Sequence, residues 1–111
     1  MTSLKQGDII WLDFDPQAGH EQGKRRPALI VSGNSALAII KSVVLVCPIS
    51  SRSRQFPTHV ALDGKQTQTQ GLILCEQVRA LDIEARNGVF IERAPAKTVN
   101  EVLDILHSLL D

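Results

Sequence analysis

Thr98-Val-Asn-Glu-Val-Leu-Asp-Ile-Leu-His-Ser-Leu-Leu110 differs in kind from everything before it. Val99, Val102, Leu103, Leu106, Leu109 and Leu110 recur with the spacing of one helix face. Thr98, followed three residues later by Glu101, has the form of a capping box and places the helix start there.

Upstream, the apolar residues come in short runs between turn signals. Asp8–Phe14 is rich in β-formers and ends at Asp15–Pro16. Ala28–Ser32 is a short apolar strand, broken by Gly33-Asn34-Ser35, where Asn34 is placed to cap a brief helix through Ser35–Lys41. Ser42–Ile49 is a buried strand, and Pro48 predicts an edge or a bulge near its end because proline cannot donate to a ladder. Thr58–Leu62 alternates, Asp63-Gly64 marks a turn, and Gln66–Gln70 is an aperiodic polar loop. Gly71–Leu81 reads as one long strand and Gly88–Ile91 as a short one. Five to six strands and a terminal helix make a mainly β chain, a small antiparallel barrel with the helix packed on it.

The length of 111 residues predicts a single domain over 1–111. An apolar fraction of 43% supports a core, and scarce aromatics leave aliphatic side chains to fill it. No apolar run reaches the roughly 18 residues a membrane helix needs, and Met1–Gln6 lacks a signal-peptide core, so a cytoplasmic protein is expected. Cys47 and Cys75 lie in apolar runs and read as small buried hydrophobes. Their spacing matches no metal-ligand pattern, and neither metal nor cofactor is expected.

Net charge is zero, but residues 20–54 carry six cations against one carboxylate, while residues 82–111 carry six carboxylates against three cations. That asymmetry points to one face for an anion. Three polar segments interrupt the strands: Gly19–Pro27, Ser50–Arg54 and Glu76–Arg79. In the first, Glu21 lies close to Lys24, Arg25 and Arg26, the groups needed to hold a phosphodiester and move a proton. In the third, alternation along a strand would put Glu76 and Val78 on one face and Gln77 and Arg79 on the other. Of the three histidines, His20 alone is near these segments, since His59 lies in a strand and His107 on the helix. Trp11 reads as a core or dimer-contact residue.

Several motifs, in order and over essentially the full length, resemble the MazF/PemK family of toxins from type II toxin–antitoxin modules. They are Gly7-Asp8-Ile9-Ile10-Trp11, Asp13-Phe14-Asp15-Pro16, Gly19-His20-Glu21-Gln22, Arg26-Pro27-Ala28-Leu29-Ile30-Val31-Ser32, Cys47-Pro48-Ile49-Ser50-Ser51 and Leu74-Cys75-Glu76-Gln77-Val78-Arg79-Ala80-Leu81-Asp82. The resemblance implies an SH3-like barrel of the MazF and CcdB kind. It implies a ribosome-independent, metal-independent endoribonuclease that cuts single-stranded mRNA at a short sequence. The implied assembly is a homodimer neutralised by an antitoxin with an acidic, flexible tail. Arg26 matches the family's catalytic arginine, Ser50 the position of its catalytic hydroxyl (usually Thr), and Glu21 a glutamate of the same pocket.

Metal-free RNA cleavage needs attack by the 2′-oxygen, stabilisation of the phosphorane charge and protonation of the 5′-oxygen. The products are a 2′,3′-cyclic phosphate and a 5′-hydroxyl. A planar guanidinium suits the phosphorane oxygens, so Arg26 takes that role and proton donation, with Ser50 as a neutral donor. Arginine's pKa above about 12 makes it a poor base, so Glu21 is the candidate base or Arg-orienting group. His20, Lys24, Arg25, Ser51, Arg52, Arg54, Gln77 and Arg79 are candidate RNA contacts. The rival reading is a non-catalytic, CcdB-like gyrase-binding toxin on the same barrel.

Overall fold

The computed structural model describes residues 3–111; Met1 and Thr2, the start of the segment read for a leader, lie outside it. Strand β1 (Asp8–Asp13) pairs with β2 (Arg25–Ile30), and β2 pairs with β3 (Val43–Ser50). The long β3 then changes partners. Its Ile49–Ser50 end pairs with β5 (Gln70–Leu74), which carries β4 (His59–Asp63) in a hairpin. Its Val43–Val46 end pairs with β6 (Arg79–Asp82). The last strand, β7 (Val89–Arg93), pairs with β1. Every pairing is antiparallel, the main path runs β4-β5-β3-β2-β1-β7, and the sheet curls into a half-barrel. Helix α1 (Asn34–Ile39) follows β2, and helix α2 (Ala96–Leu110) closes the chain.

The continuous apolar stretches Ala28–Ile30 of β2 and Val46–Ile49 of β3 have a simple cause: both faces of the sheet are covered there. One core gathers Ile9, Leu29, Cys47, Ile49, Ile73 and Val102 under α2. The other gathers Ile10, Leu12, Phe14, Val44, Val46 and Leu81 on the opposite face. An antiparallel strand normally alternates because water meets one face; over those two stretches none does, whereas at the start of β3 exposed Val43 and Leu45 alternate with buried Val44 and Val46. Cys47 and Cys75 are free thiols, buried as expected. Helix α2 buries Val102 and packs Val99, Leu103 and Leu106 on the first core, as its period predicts.

Four expectations change. The Gly71–Leu81 strand is two strands, β5 and β6, joined by a 3-10 turn at Cys75–Gln77, so Gln77 and Arg79 do not share a strand face. The chain turns there to pass from one end of β3 to the other. Pro48 is neither at an edge nor in a bulge: β3 is central, and Pro48 falls where β6 has ended and β5 has not begun. Helix α2 starts earlier than the Thr98–Glu101 pattern placed it, behind Pro95 and with no side-chain cap. Pro95 is the N-cap residue (φ −60°, ψ 144°) and carries no side-chain acceptor, so no capping box marks this start and Thr98 falls inside the first turn. Asn34 does not cap α1; its Oδ1 accepts from Gln6 N at 2.8 Å instead.

Candidate active site

A groove of about 900 Å³ lies between the β4–β5 loop and the β1, β2 and β3 strands. Arg26 and Pro27 of β2, Ile49 and Ser50 of β3, Trp11 of β1 and Ile91 of β7 contribute strand residues to it. The β1–β2 loop adds Gln17 and Gln22–Lys24, Arg25 opens β2, the turn after β3 adds Ser51–Ser53, and the β4–β5 loop adds Gln68 and Thr69 with Gln70 opening β5.

Arg26 is held by a local fold-back. The Asp15 carboxylate accepts from Lys24 N at 2.6 Å, and Phe14 N donates to the Lys24 carbonyl at 2.8 Å. Between them Gly23 packs so closely that a β-carbon would lie 2.6 Å from Gln17 Cβ and 2.7 Å from Asp15 Oδ1. Only glycine fits. Its carbonyl accepts from Arg26 Nε at 2.8 Å, which orients the guanidinium. The terminal nitrogens of Arg26 have no protein hydrogen bond among the described residues. Burial pulls the Arg26 guanidinium below its ordinary pKa, and the Asp15 carboxylate opposes that pull. A partly desolvated cation with two unengaged NH₂ groups is a strong electrostatic group for an anion.

Ser50 is buried at the end of β3. Its hydroxyl oxygen accepts from Arg52 N and Ser53 N, both at 3.2 Å, and from Ser53 Oγ at 2.9 Å. These bonds wind the Ser50–Ser53 turn and occupy the oxygen's lone pairs. What remains is the O–H, a donor.

Lys24, Arg25, Ser51 and Arg52 also line the groove; Arg25 pairs with Asp13 at 3.1 Å across the β1–β2 ladder. The other expected contacts lie outside its lining. Glu21 is exposed, and its backbone N–H turns back to the Ala18 carbonyl, so the orienting of Arg26 falls to Gly23. His20 is exposed. Arg54 presents its carbonyl to His59 Nδ1 at 2.7 Å. Gln77 clasps the β1–β2 loop: its Oε1 accepts from Gln22 N at 2.8 Å, and its Nε2 donates to the His20 carbonyl at 3.2 Å. Arg79 lies over the Phe14 ring, 6.0 Å from its centre. Trp11 is not a core residue; it is 42% exposed and lines the groove beside Arg25.

Gln17, Gln22, Gln68 and Gln70 are groove residues that the sequence reading did not single out. The Gln-Thr-Gln-Thr-Gln run was legible as a loop, but nothing local marked it as facing Arg26. No group of three or more His, Cys, Asp or Glu side chains fit for a metal occurs among the described residues. None of the described helices is long and apolar enough to cross a membrane.

Residues 5–110 match a family model described as PemK-like, MazF-like toxin of type II toxin-antitoxin system. The endoribonuclease PemK of Escherichia coli is 37% identical over 98% of this chain and 84% of its own length. The crystal structure of MazF (Form-I) from Deinococcus radiodurans superposes with a TM-score of 0.89 at 36% identity, covering 99% of this chain and 98% of that one. The MazE-MazF (Form-II) structure from the same organism gives 0.82 at 36% identity, over 99% and 97%.

Proposed function

We propose, since the chain belongs to the PemK-like, MazF-like toxin family of type II toxin–antitoxin systems, that its groove cuts single-stranded mRNA at a short sequence. The reaction needs neither ribosome nor metal. The observation that carries this is the Arg26 guanidinium, fixed through Nε by the Gly23 carbonyl, with its terminal nitrogens free in the same groove as Ser50.

The substrate's 2′-oxygen attacks the adjacent phosphorus, and charge builds on the phosphorane oxygens. Arg26 meets that charge with the N–H donors of its two terminal NH₂ groups, and Ser50 adds its hydroxyl proton. The bond to the 5′-oxygen breaks, and the 5′-oxygen takes up a proton. Arg26 is the proposed donor, because its lowered pKa makes the proton easier to give up. Glu21 is the proposed base; it is exposed on the β1–β2 loop, beside the groove rather than in its lining. Lys24, Arg25 and Arg52 hold phosphates and supply affinity rather than sequence choice.

The partners follow the same reading. A cognate MazE-like antitoxin, with an acidic flexible tail, neutralises the basic groove, in keeping with the matched MazE-MazF structures. Two copies form a homodimer through exposed apolar residues. Leu45 and Val43 of β3, with Ile39 at the end of α1 and Ile40 after it, offer such a surface. A gyrase-binding toxin on this fold is disfavoured: the relatives are named endoribonucleases, and gyrase binding needs no oriented Arg26.

The test is cleavage of a long single-stranded RNA by purified protein in EDTA, with both ends mapped. Cuts at a recurring short sequence, bearing 2′,3′-cyclic phosphate and 5′-hydroxyl ends, support the reading. Intact RNA would overturn it.

A further inference from the structure

The two ends of the curled sheet do not pair with each other, yet one carboxylate joins them. Glu92 sits on β7, at the opposite end of the strand order from the β4–β5 hairpin. Its Oε1 accepts from Gln68 N at 3.0 Å. Its Oε2 accepts from Thr69 N and from Thr69 Oγ1, both at 2.7 Å. Thr67 Oγ1 completes the clasp by donating to the Thr69 carbonyl at 2.7 Å. Burial works to raise the Glu92 pKa, but the bonds from Thr69 and Gln68 outweigh it and hold the carboxyl below its ordinary value.

A bulge aims Glu92 at this loop. Ile9 pairs with Glu92 and Ile10 pairs with Phe90, which leaves Ile91 as the extra residue. Such a bulge bends the strand and re-aims its side chains. Ile91 packs on the core and lines the groove, while Glu92 reaches the hairpin loop.

The segment so held, with Gln70 beside it, lines the groove. Gln68 and Gln70 line the same groove as Lys24, Arg25, Arg26 and Arg52. The Gln70 amide rests on Gly64, where a β-carbon would lie 2.7 Å from its Nε2. An amide carries a donor and an acceptor side by side and no charge. It adds little to salt-dependent affinity, but it matches the paired donor and acceptor on the edge of an unstacked base. We propose that Glu92 is a positioning residue for base selection, holding the Gln68–Gln70 segment so that both glutamine amides read the edges of RNA bases beside the cut. This rests on the ribonuclease reading above.

The experiment maps every cut in a long single-stranded RNA of mixed sequence, at low conversion, for the parent, Gln68→Ala, Gln70→Ala and Glu92→Gln. A glutamine at 92 loses one acceptor oxygen and sets an NH₂ against backbone N–H groups. The parent's preferred site should lose about tenfold or more of its advantage over sites differing at one base, in Glu92→Gln and in at least one of the two alanine variants. The affected base position should be the same. A uniform slowing of all sites by Glu92→Gln would show a merely structural clasp, and unchanged maps for both alanine variants would show that the amides read nothing. Either overturns the proposal. Failure of the ribonuclease reading is separately visible, because the parent itself would leave the RNA uncut. Should Glu92→Gln not fold, as judged by thermal melting, the Gln68→Ala and Gln70→Ala maps decide alone.

Discussion

Replacing Arg26 with alanine should slow cleavage about 10²–10³-fold at saturating protein, with a smaller change in RNA binding. The magnitude comes from what the side chain does in the groove. Its Nε is committed to the Gly23 carbonyl at 2.8 Å, so the fork arrives already oriented. Loss of one preorganised donor to a developing oxyanion typically costs about 10²–10³-fold, near 3–4 kcal/mol at roughly 1.4 kcal/mol per tenfold. Arg26 supplies two such donors and a partly desolvated charge. Affinity depends less on it, because Lys24, Arg25 and Arg52 also face the groove. Arg26→Lys keeps the charge but loses both the Nε anchor and the planar fork, so it should fall between the two, about tenfold below the parent. The assay is single-turnover cleavage of a short RNA with protein in excess, read as the plateau rate against protein concentration, with binding followed separately by fluorescence polarisation. An Arg26→Ala protein that melts like the parent and cuts within about threefold of its plateau rate would refute the assignment. So would a loss found wholly in binding.

Ser50→Ala should cut slowly, while Ser50→Thr should cut at least as well as the parent, since threonine keeps the donor and stiffens its rotamer; a full-rate Ser50→Ala protein would remove the hydroxyl from the chemistry. Gln77→Ala removes two bonds that hold the β1–β2 loop, at about 1 kcal/mol each, so hydrogen exchange at Gln22 should quicken while exchange in β3 stays slow. Glu76 gives a pH dependence. Burial raises its pKa, but bonds from His59 and Thr58 outweigh this and leave it below the ordinary 4.5. A depressed carboxyl contributes stability above its unfolded pKa and loses it as pH falls through the folded one. Melting the parent beside Glu76→Gln should therefore show the parent's advantage at neutral pH shrinking only below about pH 4.5, and an advantage still constant at strongly acid pH would sink the assignment.

The ladder and helix signals were legible because they are local. The α2 period survives into the fold since Val99, Val102 and Leu106 pack on one core. The helix start was misread for an equally physical reason: Pro95 positions the entrance, and Thr98 lies inside the first turn rather than before it. The break at Cys75–Gln77 showed only as the polar Glu76–Arg79 interruption, which an alternating strand accounts for as well as two strands meeting at a corner do. Arg26 and Ser50 were legible from their motifs. Gln77 was legible as a polar residue out of place, but its partners at His20 and Gln22 lie far away in the sequence.

By itself the sequence determined the class of the fold, the order of its strands along the chain, the terminal helix and the family motifs. Those depend on residue spacing of a few positions, which periodicity and turn chemistry report directly. Only the tertiary structure decided that β3 changes partners midway, that Gly23 rather than Glu21 orients Arg26, and that Glu92 joins the two ends of the sheet. Each of these is a polar or ladder contact whose partner is chosen by the curl of the sheet. A carboxylate such as Glu92 carries no mark of the distant amides it will meet.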